Sequence, residues 1–166
     1  MIAAFDVHYF GDEYASAAAV LVQGYQDAEA AGEYTSLIYG VSRYVSGQFY
    51  RRELPCILRL LEQFDETPDE MVIDGYVMLG DRPGLGQYLF ESFAGHISVV
   101  GVAKSKHRKS SAIEVLRGGS MRPLYVTSAG VDPYAASERI RAMHGAHRVP
   151  TLLRRVDVLA RREVGC

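Results

Sequence analysis

Met71-Val72-Ile73-Asp74-Gly75 (residues 71–75) is the stretch on which the fold turns. Three consecutive apolar residues without polar alternation predict a short strand covered on both faces, the mark of a central or parallel strand. Ahead of it, Leu54, Ile57, Leu58, Leu61 and Phe64 recur at helical spacing. Pro55 is permitted in a first helical turn, and Asp65-Glu66-Thr67-Pro68 supplies the stop, so the spacing predicts a helix opening at Leu54-Pro55. A strand entered from a helix suits a parallel crossover.

Working outward, Ile2–Tyr9 (IAAFDVHY) reads as a strand ended by Gly11-Asp12-Glu13. Ser16–Gln23 (SAAAVLVQ) is ambiguous, because its alanines favour helix and the run is short. Its neighbours decide for strand: Tyr34–Ser42 is β-branched and aromatic, and the polar connection Asp27–Gly32 suits a hairpin return. Downstream, Leu85, Leu89 and Phe90 suggest a helix between Gly84 and Gly95, and Ile97–Val102 (ISVVGV) is a further apolar strand. Candidate strands follow at Ala112–Leu116 and Leu124–Thr127. Helices are expected from Asp132-Pro133 to about His144 and from Pro150 to about Glu163, the latter with Leu152, Leu153, Val156, Leu159 and Ala160 as its apolar stripe. The expected fold is α/β: a mixed sheet of three antiparallel strands followed by parallel strands, flanked by helices.

The 166 residues fit one domain at the usual ~150 per domain, so residues 1–166 are expected to form a single unit. Apolar residues at 48% and charged residues at 23% are ordinary for a globular chain. With 18 Lys+Arg against 20 Asp+Glu, the net charge of −2 excludes nucleic-acid binding through overall charge and leaves only a local basic patch. Two cysteines, Cys56 in an apolar stretch and Cys166 at the last position, are too few for a disulfide scaffold or a four-ligand zinc site. No run reaches the ~18 apolar residues of a membrane helix, and no basic leader precedes the first strand, so a cytoplasmic protein is expected. Gly84 and Gly86 form neither a G-x-G-x-x-G nor a Walker pattern, which excludes a nucleotide loop there.

Most acidic residues fall in polar runs, where solvated charge is the plain reading. Three do not. Asp6 lies inside the first strand between Phe5 and Val7, Asp74 ends the Met71–Ile73 run, and Glu53 stands at the edge of the helix. A carboxylate in an apolar strand costs several kcal/mol unless something pairs with it. If the first and fourth strands are parallel neighbours, Asp6 and Asp74 meet, and the helix brings Glu53 over the same end. Three converging carboxylates repel unless they share cations, and oxygen-only sets suit Mg²⁺ or Mn²⁺. That is the two-metal arrangement for phosphodiester hydrolysis with water as nucleophile. Lys104, just past Ile97–Val102, is placed to neutralise charge on a scissile phosphate. Residues 104–109 (KSKHRK) are the densest positive run, a solvated loop on the plain reading and a phosphate track beside an acidic site. Arg51 and Arg52 add to that side, and Tyr44 and Phe49 are loop aromatics suited to stacking on or wedging between bases.

The segments AAFDVHY, RYVSGQFYRRELP, MVIDGY, VVGVAKSK, PLYVTSAG and HRVPTLLRRVDVLA, in this order between residues 3 and 160, resemble the endonuclease V family. Its members are metal-dependent nucleases of ribonuclease-H-like fold that act on deaminated bases, chiefly inosine, in DNA or RNA. The resemblance implies that Asp6, Glu53 and Asp74 are catalytic metal ligands for Mg²⁺ or Mn²⁺ and that Lys104 is the active-site lysine. It makes Tyr44 the tyrosine of a strand-separating wedge, and places Gly47, Gly75, Gly101 and Ala103 around an extruded base, where small residues allow close backbone approach. Arg52, Lys106 and Arg108 are expected on the nucleic acid, and no protein partner or membrane is implied.

The chain also departs from the family pattern. Arg43 and Ser46 replace the wedge prolines; Tyr76 and Gly80 stand where histidines are usual; Val77 replaces a pocket glycine and is expected to crowd the pocket; SAGV lacks the usual histidine. These losses leave open the alternative of a nucleic-acid-binding protein of the same fold that no longer cleaves.

Overall fold

The computed structural model describes residues 1–162; the expectations for Cys166 and for the last helix at Glu163 lie outside the described residues. Strands β1 (Ile2–Phe10), β2 (Tyr14–Val22) and β3 (Gly32–Tyr39) come first, then helix α1 (Tyr50–Leu61) and strand β4 (Glu70–Asp74). A two-strand ribbon, β5 (Met78–Leu79) and β6 (Arg82–Pro83), leads into helix α2 (Leu85–Ser92) and strand β7 (Ser98–Ala103). Strands β8 (Ile113–Val115) and β9 (Leu124–Ala129) and helices α3 (Pro133–Arg141) and α4 (Thr151–Arg161) complete the described chain.

The main sheet runs β3-β2-β1-β4-β7-β9-β8. β1, β2 and β3 are antiparallel neighbours, and β4 and β7 continue from β1 in parallel, as expected. β9 then pairs with β7, and β8 with β9, antiparallel. Each face of the sheet has its own core. One gathers Phe5, Met71, Ile73 and Val99 under α1 and α2; the other gathers Val20, Val72, Val100 and Val126 under α3 and α4.

β2 shows why its alanine-rich sequence is a strand. Ala17 and Ala19 face the α1 side, Ala18 and Val20 face the α4 side, and all four are buried. Alternation between two dry faces overrides alanine's helical preference, and small side chains let a helix lie close on each side.

Several boundaries differ from the sequence reading, and two of the differences have a clear local cause. Helix α1 begins at Tyr50, four residues before Leu54, so Pro55 lies inside the helix rather than opening it. Turn bonds from Gln48 N–H to the Val45 carbonyl and from Arg51 N–H to the Gln48 carbonyl start the coil early. Pro55 then leaves the Arg51 carbonyl without its helical donor. Strand β3 stops at Tyr39 rather than Ser42 because Gly40 turns the chain with a φ of 70°. A left-handed conformation of that kind suits glycine.

Candidate active site

The parallel pairing sets the site. Phe5 is opposite Ile73, so the next residues, Asp6 and Asp74, arrive side by side at the carboxyl end of their strands. Asp74 is opposite Val102, and two residues beyond it Lys104 leaves the end of β7. The Lys104 Nζ–H donates to Asp74 Oδ2 at 3.1 Å. Glu53, in the first turn of α1, comes over the same end and is only 6% exposed. The three acids and the lysine that the sequence singled out therefore meet at one place.

A fourth carboxylate joins them. Asp157 on α4 lines the same cleft of about 400 Å³ as Asp6, Glu53 and Asp74, and shares a hydrogen bond with Asp6. Sequence reasoning passed over it, although a signal existed. Asp157 is four residues after Leu153 and three before Ala160, so it sits on the inward stripe of an amphipathic helix. There a carboxylate needs the same explanation that Asp6 needed in its strand.

The electrostatics are those of crowded carboxyls. Burial, then repulsion from Asp74, then the bond with Asp157 push the Asp6 carboxyl up to about 7. Burial, then the neighbouring Asp6 and Asp74, hold Glu53 well above the usual carboxylate range. For Asp157, burial works against ionisation, yet the bond that Arg161 donates at 2.8 Å and the proton shared with Asp6 bring it below that range. Carboxyls this crowded lower their free energy by binding either protons or a divalent cation. Their oxygen-only donor set fits Mg²⁺ or Mn²⁺. Among the described residues, no three His, Cys, Asp or Glu side chains are placed so that they could hold a metal ion as they stand.

The expected nucleic-acid residues divide. Tyr44 projects from the loop before α1, 60% exposed. In that loop Gly47 has a φ of 76° with open space where a Cβ would be, and Gly75 beside Asp74 is likewise open. Lys106 is paired with Glu114 at 3.6 Å, and Arg108 is exposed on the rim of an adjoining groove.

Four of the expected residues sit away from the open cleft. Arg52 does not face a phosphate: it is 7% exposed, with its guanidinium 4.1 Å from the Tyr9 ring centroid, and it donates to the Gly11 carbonyl and Asp12. Helical rotation of about 100° per residue sends Arg51 outward and Arg52 inward. Val77 does not crowd a pocket, because its side chain is buried in the core beside Gly86 and Ile73. Ala103 is buried within β7. Gly101 meets the chain itself rather than open space. A Cβ there would lie 2.6 Å from the Gly75 carbonyl and 2.7 Å from Thr127 Oγ1, which accepts the Val77 N–H.

Gly101→Ala is accordingly expected to cost about 1–3 kcal/mol of stability through overpacking, read as a lower urea midpoint with unchanged slope. A midpoint equal to that of the unmodified chain would show that this strand contact yields freely.

Tyr76 joins two loops at the edge of the site. Its hydroxyl donates to the Ser105 carbonyl at 2.6 Å and accepts the His107 N–H at 2.9 Å, tying the basic loop to the turn after β4.

The family model described as Endonuclease V matches residues 1–139. The human protein Endonuclease V is 23% identical over 191 residues, covering 93% of this chain and 67% of the human one. Among solved structures, Endonuclease V from Streptomyces avermitilis superposes with a TM-score of 0.76 at 26% identity, covering 96% of this chain and 79% of that one. Endonuclease V from Ciona intestinalis was solved in complex with a 24mer DNA containing an inosine followed by a ribo-adenosine. It superposes with a TM-score of 0.81 at 17% identity, covering 96% of this chain and 84% of that one, a likeness of fold.

Proposed function

The chain belongs to the endonuclease V family and is thus an endonuclease, a phosphodiester hydrolase, and from that premise we propose that it cleaves DNA or RNA at or near a deaminated base such as inosine. The observation that carries this reading is the meeting of Asp6, Glu53, Asp74 and Asp157 beside the Lys104 ammonium at one end of the sheet. We read the chain as a single domain, since the four carboxylates sit on the seven-stranded sheet or its flanking helices and Lys104 directly follows β7.

Asp6, Glu53, Asp74 and Asp157 would hold Mg²⁺ or Mn²⁺. Such cations, if two were held there, would supply activation of the attacking water and stabilisation of the leaving oxygen. Lys104 adds a fixed positive charge where negative charge builds on the phosphate, and its bond to Asp74 keeps that charge aimed. Gly75 and Gly47 leave backbone open to the cleft, so a flipped base can approach the main chain closely. Tyr44, exposed on the preceding loop, is the side chain that would fill the gap the base leaves. By analogy with the family, hydrolysis would leave a 3′-hydroxyl and a 5′-phosphate.

We place the enzyme in the cytoplasm, in keeping with the free, buried thiol of Cys56. Among the described residues no helix is long and apolar enough to cross a membrane.

A nicking assay tests the proposal, using inosine-containing and normal single- and double-stranded DNA and RNA with Mg²⁺ or Mn²⁺. Metal-dependent nicks enriched at inosine are expected. Binding without cleavage under either metal would instead favour the alternative of a binding protein that has lost its chemistry, and equal cleavage of normal strands would remove the deaminated base from the reading.

A further inference from the structure

Next to the carboxylate cleft lies a second hollow of about 520 Å³, lined by Lys104, Ser120, His147, Arg148, Arg154 and Asp157 among others. Asp157 lines both hollows, and Lys104, bonded to Asp74, stands where they join. Four of the six named side chains are basic, against one acid. Among the described residues no Phe or Tyr lines this hollow, whereas the groove on the far side of the cleft has Tyr50 and Tyr88.

The positive rim is held in place by the fold. The Arg117 guanidinium, buried and without a carboxylate partner among the described residues, donates to the carbonyls of Arg141, Met143, Gly145, His147 and Arg148. Two of those acceptors, the carbonyls of His147 and Arg148, belong to residues that line the hollow, so the buried cation holds its backbone in place. Arg148 is fixed in turn by the carbonyls of Lys104 and Pro123. Arg154 sits on α4 one turn before Asp157, on the same side of the helix. Its neighbours are committed, Arg155 to Glu33 at 2.6 Å and Arg161 to Asp157 at 2.8 Å. Arg154 is exposed and, among the described residues, has no carboxylate partner.

We propose that this hollow receives the phosphate backbone of the strand flanking the scissile bond, with Arg154 as its principal contact. The inference rests on the nuclease reading and extends it, because it places one flank of the substrate along the start of α4. With cations and no stacking platform, the contact reads charge and not sequence. That flank is therefore held equally well single-stranded or paired, and in any sequence.

The test is binding in an Asp74→Asn background, where cleavage does not interfere, over a salt series with single- and double-stranded oligonucleotides of unrelated sequence. Arg154→Ala should weaken all of them several-fold. It should also reduce the slope of log affinity against log salt by about 0.9 for duplex and 0.7 for single strands, one lost phosphate contact. Arg154→Lys should restore the slope, which a merely structural arginine would not predict. Unchanged slope and affinity, a loss confined to certain sequences, or absence of binding altogether would overturn the proposal. Its fate separates from that of the nuclease reading. A chain that nicks inosine substrates while Arg154→Ala binds like its parent loses only this inference, and one that binds with the expected slopes but never nicks loses the nuclease reading and keeps the hollow as a phosphate-backbone contact without a scissile bond.

Discussion

Asp74→Asn should reduce cleavage by at least about 10³-fold while leaving nucleic-acid affinity within a few-fold and the fold intact. The substitution keeps size and shape and retains an oxygen that can accept the Lys104 ammonium now held at 3.1 Å. What it removes is one negative charge from the set of four that would hold divalent cations. Losing several kcal/mol of charge stabilisation in the displacement corresponds to the expected factor, since each ~1.4 kcal/mol is tenfold. Asp74 is partly exposed at the strand end, so its replacement leaves no buried orphan. Thermal melting should show no loss of stability, and a small gain is expected in metal-free protein, because Asp74 raises the proton affinity of both Asp6 and Glu53. Single-turnover cleavage with Mg²⁺ and Mn²⁺, alongside binding, distinguishes the outcomes. Full activity in the variant would mean that the chemistry lies elsewhere. Loss of activity together with loss of fold would be resolved by Lys104→Ala, which leaves the carboxylates in place and should slow the chemical step far more than it weakens binding.

The site was legible in the sequence wherever a residue broke the pattern of its own element. Asp6 inside an apolar strand and Asp74 at the end of an apolar run are such breaks, and parallel pairing of β1 with β4 turns two oddities into neighbours. Arg52 was misread because adjacent arginines look alike in a string. Only the early start of α1, set by turn bonds in residues 45–51, fixes which of them faces Tyr9. Val77 was misread for a related reason. The turn after Asp74 bonds back to β7 and β9, through the Gly75 and Val77 N–H groups, and that aims the valine inward. No local periodicity carries this information. Asp157 differs from both, because its position on the buried stripe of α4 was readable, and the arginines around it masked the break.

In metal-free protein, stability should fall as pH rises from about 5 to about 7.5, the reverse of the usual carboxylate trend. Asp6 titrates near 7 in the folded chain against 3.8 for the ordinary side chain. Between those values the folded state holds a proton that the unfolded state has released, so unfolding releases it and stability declines with pH, levelling off above about 7. The roughly three-unit difference corresponds to about 4 kcal/mol at most, and Glu53 acts in the same direction. For a chain of this size each kcal/mol moves Tm by about 2–4 °C, so a decline on the order of 10 °C is expected in EDTA. Glu33 and Asp69 lie below the usual carboxylate range and oppose this only in more acidic solution, which is why the window begins near pH 5. Saturating Mn²⁺ should reverse the slope, because the cation displaces the protons and stabilises only the folded chain. Its effect on Tm should be small near pH 5.5 and large near pH 7.5. Asp6→Asn should flatten the metal-free profile and shrink the metal response together. A metal-free profile that rises with pH, or a Mn²⁺ shift of equal size at both ends, would show that these four carboxyls neither crowd one another nor hold the ion.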